Sequence, residues 1–165
     1  MIVTLGPSKC SYSMNTTQMQ VQAQQTIADN VLKNTHLLIE ALKDNYRQYS
    51  IRGHQRSVEN YDFTYDGSSS VQSQYHQRKI DELKSGILPI DYQVETGKKY
   101  HKVIFIGGSG SLSVHAFIDK KTGEVYKPAS CKSPAKGVRY DLRLIEDREY
   151  LLQNADWSGG YLYAA

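Results

Sequence analysis

Between Lys98 and Asp141 the chain carries nine Lys or Arg residues against three carboxylates, Asp119, Glu124 and Asp141, in a protein whose formal charge is only +3. Within this block the segment KPASCKSPAKGVRYDLR spaces Lys127, Lys132, Lys136, Arg139 and Arg143 along a strip that also holds two prolines, a glycine and Tyr140. Cations on an irregular strip can neutralise successive phosphates of a nucleic acid, and tyrosine rings can stack on exposed bases. The same charges also suit an acidic protein surface, or serve only to keep a sheet edge from pairing with other chains. Lys127, Lys132, Lys136, Arg139, Tyr140 and Arg143 are the candidate contact residues on the first two readings.

Other chemistry finds little footing. A thiol nucleophile at Cys131 would need a nearby base such as His115 and an acid to orient it, and the sequence shows no such set. Cys10 and Cys131 have neither CxxC nor Cys/His spacing, and the five histidines, His36, His54, His76, His101 and His115, form no HxH, HxxxH or HExxH motif. The glycines of Gly107–Ser111 invite comparison with a phosphate cradle. However, Ser111 and Leu112 follow Gly110 where a P-loop requires Lys and a hydroxyl, and a strand follows where it requires a helix. We expect no enzyme, no cofactor and no metal.

The elements that must carry the basic strip lie mostly between residues 100 and 163. His101–Ile106 is a Val/Ile/Phe run suited to a buried strand, and GGSGS closes it as a hairpin loop. Ser113–Asp119 alternates Val114, Ala116 and Ile118 with more polar positions. Lys120–Gly123 then reverses the chain, since Asp119 can accept from the turn backbone and Gly123 can take positive φ. Glu124–Lys127 returns as the partner strand until Pro128. Beyond the strip, Leu142, Ile145, Leu151 and Leu152 fit a short helix starting at Glu146 or Asp147 and ending at Asn154. Tyr161, Leu162 and Tyr163 alternate as a terminal strand, with Trp157 as an anchor of the small core.

Ahead of this module, no Gly or Pro interrupts residues 15 to 49, and Asn15 or Thr16 can cap a first turn. We read one long helix. Ala28, Val31, Leu32, Thr35, Leu38, Ile39, Leu42 and Tyr46 recur at three- and four-residue steps, so Val31, Leu32, Leu38, Ile39, Leu42 and Tyr46 are its candidate interface, for the β module, a neighbouring copy or a dedicated docking partner. The first half of the helix, TTQMQVQAQQ, is Gln-rich and too polar to be stable alone. Residues 50–76 read as loop, with VENYDFTY as a potential strand anchored by Val58, Tyr61, Phe63 and Tyr65. Arg52, His54 and Arg56 are a solvated face or a phosphate contact. Gln77–Ser85 is a short helix with Gly86 as its glycine cap, and Ile87–Val94 is an edge or entry strand behind Pro89.

The expected class is thus α+β: a small antiparallel β module over residues 100–163 with a long N-terminal α-helix. In order, residues 1–13 form an extended piece, 14–50 a helical arm, 51–98 a loop-rich connector with a short helix, and 99–165 the β module. No apolar run approaches the ~18 residues a membrane span needs, so a soluble, membrane-independent protein is expected. Hydrophobic residues make up 39% of the chain and the aromatics are mainly tyrosine, 13 against 3 Phe and 1 Trp. That balance favours contact surfaces over a deep core, with order gained from a protein partner or self-assembly.

The segment VHAFIDKKTGEVYKPASCKSPAKGVRYDL and the later ADWSGGYLY resemble a group of small proteins encoded by tailed phages, especially phages of aquatic bacteria. The shared pattern is FxD, a Thr-Gly turn, YK, an A-S-aromatic-K-x-P-A-K-x-x-R segment and a terminal GGYLY. Here Phe117, Asp119, Thr122, Gly123, Tyr126, Lys127, Pro134, Ala135, Lys136 and Arg139 match it, while Cys131 stands at the aromatic position. The resemblance implies a viral origin more than an activity. It makes a virion-associated structural or assembly component, in the virion or the host cytoplasm, the leading expectation; a nucleic-acid-binding module is the alternative.

Overall fold

Asn15 caps the first helix through a reciprocal pair of bonds: its Oδ1 accepts from the Gln18 N–H at 2.8 Å, and Gln18 Oε1 accepts from the Asn15 N–H at 3.1 Å. The computed structural model of the protein describes residues 15–61 and 70–163. From the cap, α1 (Thr16–Tyr61) runs for 46 residues. It is followed by α2 (Val71–Lys84), the strands β1 (Asp91–Thr96), β2 (Tyr100–Ile106), β3 (Leu112–Asp119), β4 (Glu124–Tyr126) and β5 (Tyr140–Asp141), the helix α3 (Ile145–Asn154) and a 3-10 turn (Gly160–Tyr163). The α+β class and the long first helix agree with the sequence reading.

The five strands form an antiparallel meander in the order β1-β2-β3-β4-β5. Local chemistry explains the two central reversals. GGSGS closes the β2–β3 hairpin with Gly110 at φ +79°, and the Gly107 N–H donates to the Ser111 carbonyl at 2.8 Å. At the next turn Asp119 Oδ1 accepts from the N–H groups of Lys121 and Thr122, and Gly123 sits at φ +71°.

One sheet face packs on α1. Tyr92, Val103, Ala116, Ile118, Val125 and Tyr140 meet Val31, Leu38, Ile39 and Leu42, with Leu142, Leu151 and Leu162 completing the cluster. Val31, Leu38 and Leu42 are wholly buried, as is Thr35, whose hydroxyl donates to the Val31 carbonyl. Leu32 and Tyr46, of the candidate interface, are half-buried at the margins of this stripe. Thus most of that interface belongs to the protein's own core.

Two helical assignments need correction. The helix does not stop at Ser50: Ile51 is buried against Ile80 and Leu83 of α2, and this second cluster carries α1 through Gly53 to Tyr61. A helical glycine costs only about 1 kcal/mol relative to alanine, less than the packing returns. Val58 and Tyr61, read as strand anchors, are therefore helical, whereas Phe63, Tyr65, the Asp66-Gly67 turn and residues 1–13 lie outside the described residues. The short helix at Gln77–Ser85 is the second part of α2, which begins at Val71 under a Ser70 cap and ends before Gly86 at φ +95°.

The terminal strand is also overturned. Asp156 accepts from the Ser158 N–H and hydroxyl and its carbonyl accepts from the Gly159 N–H, so the chain turns at Gly159, φ +82°, into the 3-10 turn. Consecutive Tyr161 and Leu162 are both buried, which the alternation of a strand does not allow on a single covered face.

Candidate functional site

The basic strip is folded rather than extended. Lys127 and Pro128 leave β4, an isolated bridge pairs Pro128 with Pro134, and Ser130 Oγ accepts from the N–H groups of Lys132 and Ser133. The Ala135 N–H donates to the Lys127 carbonyl at 2.8 Å, which closes a small loop with Cys131 exposed at its turn. This loop lies toward the outer sheet face, where Cys131 shares a shallow cleft with Gln93, Lys102, Ile104, Leu112 and Val114.

The strip's cations therefore divide. Lys132 and Lys136 are exposed on the loop. Lys127 sits with its Nζ 3.6 Å from the centroid of the Tyr163 ring, so the YK and GGYLY pieces of the sequence pattern meet in space. Arg139 is half-buried, and its Nε is enclosed without a hydrogen-bond partner among the described residues. Arg143 turns toward α1, where its guanidinium pairs with Asp141 at 3.2 Å and borders a concavity of about 520 Å³ with Lys33 and Arg148. Tyr140 leaves the set of contact residues. It is buried, and its hydroxyl donates to the Tyr161 carbonyl at 2.9 Å, so the ring is not available to stack on a base.

A second feature escaped the sequence. Val103 pairs with Ala116 and Ile104 with Val114, which leaves His115 as the extra residue of a β-bulge. The bulge turns His115 to the α1 side of the sheet, edge-on to Tyr92 with ring centroids 5.5 Å apart, and its Nε2 lies 2.9 Å from the Tyr161 hydroxyl. Burial pushes the imidazole down to about 4, against a weaker upward pull from Asp156, and it drives the Tyr161 phenol upward. His115 also lines a cleft of about 370 Å³ with Lys127, Trp157, Ser158 and Tyr163. Chemically this is a neutral, hydrogen-bonded pair. Cys131 and His115 border separate clefts, and Ser158 Oγ donates to Asp156 at 2.6 Å, so among the described residues the hydroxyl bonded to the imidazole is that of Tyr161.

Trp157 anchors the tail to the helix. Its ring stands edge-on to Tyr46 at 5.3 Å and tilted against Tyr49 at 5.3 Å, while the Trp157 backbone N–H donates to Asn45 Oδ1. Arg52, His54 and Arg56, read as a loop, are on α1 instead; the arginines are exposed and His54 faces His76 of α2.

The remaining feature is the start of α1. Every residue from Thr16 to Ile27 is exposed, including Met19 at 60%, Val21 at 61% and Ile27 at 38%. Thr17, Val21, Gln24 and Ala28 continue, at alternating four- and three-residue steps, the line of Val31, Thr35, Leu38 and Leu42 that packs on the sheet. Thr16–Ala28 carries no ionisable side chain. The arm thus prolongs a buried seam into solvent.

Among the described residues no helix is long and apolar enough to cross a membrane, and no group of three or more His, Cys, Asp or Glu gathers to hold a metal. The model of a family described as a family of unknown function (DUF7717) matches residues 14–164. No curated protein and no solved structure matches the chain.

Proposed function

Because the chain belongs to this family of unknown function, membership brings no activity with it, and from the residues themselves we propose a non-enzymatic, phage-encoded assembly protein that associates through its N-terminal arm. The observation that carries this reading is the uncovered seam Thr17, Val21, Gln24, which passes through half-buried Ala28 into the buried seam of the same helix. Twelve residues at a rise of 1.5 Å project ~18 Å, and an isolated helix that short is marginal in water without a partner.

The occupant we assign is a second copy of the chain. An arm with no charge offers no ion pairs to select a different helix and no repulsion between identical ones, and glutamines can bond across a homotypic seam. Association through so short a seam is weak per contact, which suits an array in which many copies are held close together. The phage context rests on the resemblance of the 117–163 pattern.

The test is the mass of the full chain by light scattering over a range of concentrations. The reading expects mass to rise with concentration and the Val21→Glu, Ile27→Glu double variant to remain monomeric with unchanged sheet signal. A wild-type chain that is monomeric throughout would overturn it.

A second reading, binding of nucleic acid, is favoured by the shared concavity of Lys33, Arg143 and Arg148 and by the exposed Lys132 and Lys136. It expects affinity for single-stranded DNA to fall steeply with salt. Binding unchanged by salt would exclude it.

A further inference from the structure

One line of residues on α1 meets two different surroundings. Val31, Thr35, Leu38 and Leu42 are wholly buried beneath the sheet of the same chain, whereas Thr17, Val21 and Gln24 on that line are exposed and Ala28 is half-buried between them. The cover ends at the β3–β4 turn, where a Cβ on Gly123 would come within 3.4 Å of Val31 Cγ2. If a second copy occupies the uncovered part, the reading on which the following rests, this boundary selects how the two helices run.

In a parallel pair, equal residues face each other and both helices continue together past Ala28. From Val31 onward each would carry its own sheet on the side facing the other. Helices packed seam to seam lie about 8–10 Å apart, and two sheet layers of about 10 Å each do not enter that gap. Parting the helices at this point would take a sharp kink, and α1 has no proline and no glycine before Gly53. In an antiparallel pair each β module lies beyond the first residue of the other arm, so the conflict disappears.

We propose that two copies associate through antiparallel arms, with Thr17 of each opposite Ala28 of the other and Val21 opposite Gln24. The line itself supplies the register. Its steps from Thr17 to Ala28 are four, three and four residues, which read the same in both directions, so every position finds a partner. Sliding the second copy one heptad further would bring Val21 against the covered Val31, and sliding it one heptad back would leave half the line unpaired. At the proposed register Asn15, which caps the helix, comes level with Asn30 of the second copy, just short of its covered Val31.

The flanks agree. Gln18 and Gln25 come opposite each other beside the seam, where their amides can bond across it. Asp29, which accepts from Gln25 Nε2 at 2.9 Å, comes level with Thr16 of the second copy, at the helix end that favours a carboxylate. A parallel pair sets the two Asp29 carboxylates level with each other instead.

The test uses the full chain with Cys10 and Cys131 replaced by Ser and a single cysteine introduced, as Thr17→Cys or Ala28→Cys, under mild oxidation. A disulfide needs Cα atoms within about 7 Å, whereas at this register Thr17 lies roughly 17 Å along the axis from its own counterpart. We expect the mixture of T17C and A28C to give several-fold more disulfide-linked dimer than either variant alone. Should A28C fail to fold, Gln18→Cys mixed with Gln25→Cys reads the same register at exposed positions. Self-linked dimers of T17C alone and of A28C alone would mark parallel arms and overturn the proposal. So would the absence of any crossed disulfide in a chain that light scattering shows to associate. A chain that scatters as a monomer at every concentration would overturn the pairing itself, and its orientation with it.

Discussion

The Nε2 of His115 lies 2.9 Å from the hydroxyl of Tyr161, joining the bulge of β3 to the 3-10 turn 46 residues later. Burial holds this hydrogen-bonded histidine neutral inside the core, with a consequence for stability. Burial pushes its pKa down to about 4, whereas in the unfolded chain the ring titrates near 6.5. Between those values the unfolded chain binds a proton that the folded chain does not. The contribution of His115 is therefore complete above the unfolded value and declines as pH falls toward about 4, by on the order of 3 kcal/mol. Denaturant titrations across this range should show a shallower decline for His115→Phe than for the wild type; parallel profiles would refute the assignment.

Leu38 and Val21 lie on one helix line but on opposite sides of the point where the sheet's cover ends. Leu38→Ala should cost about 2–5 kcal/mol, because a wholly buried side chain is lost and a cavity remains. Val21→Ala in the dilute monomer should change stability by less than about 0.5 kcal/mol. Urea unfolding of the two variants at low concentration measures the contrast.

Gly123 turns the chain between β3 and β4 at φ +71°, where a Cβ would meet Arg143 Cγ at 3.0 Å and Asp141 Oδ1 at 3.3 Å. Gly123→Ala should destabilise by about 1–3 kcal/mol through backbone strain and crowding together. Gly110→Ala has the same sign of φ but open space around it, so chemical denaturation should show the smaller loss there.

Tyr140 and the exposed lysines of the strip should separate in their effects. Tyr140→Phe leaves the Tyr161 carbonyl without its hydroxyl donor and should cost ~1 kcal/mol of stability while leaving any DNA affinity unchanged. Replacing Lys132 and Lys136 by Glu should leave stability nearly unchanged and lower DNA affinity if the strip contacts phosphate. Fluorescence anisotropy beside thermal unfolding resolves the two.

What the sequence determined by itself is what depends on near neighbours. The Asp119–Gly123 turn, the GGSGS loop, the Asn15 cap and the Val31–Leu42 stripe all follow from residues within a turn or two of one another, and each is where its chemistry requires. The tertiary structure decided what depends on distant partners. Nothing in the polar run after Ser50 specifies a helix until Ile80 and Leu83 of α2 cover Ile51. The alternation of Tyr161 and Tyr163 fits a strand until Asp156 and Gly159 turn the tail into the core. Tyr140 is indistinguishable in sequence from a surface stacking residue until Tyr161 offers its carbonyl. The pairs His115–Tyr161 and His54–His76 join residues 46 and 22 positions apart, and no local spacing marks them because the bulge and the helix packing that align them are properties of the folded chain.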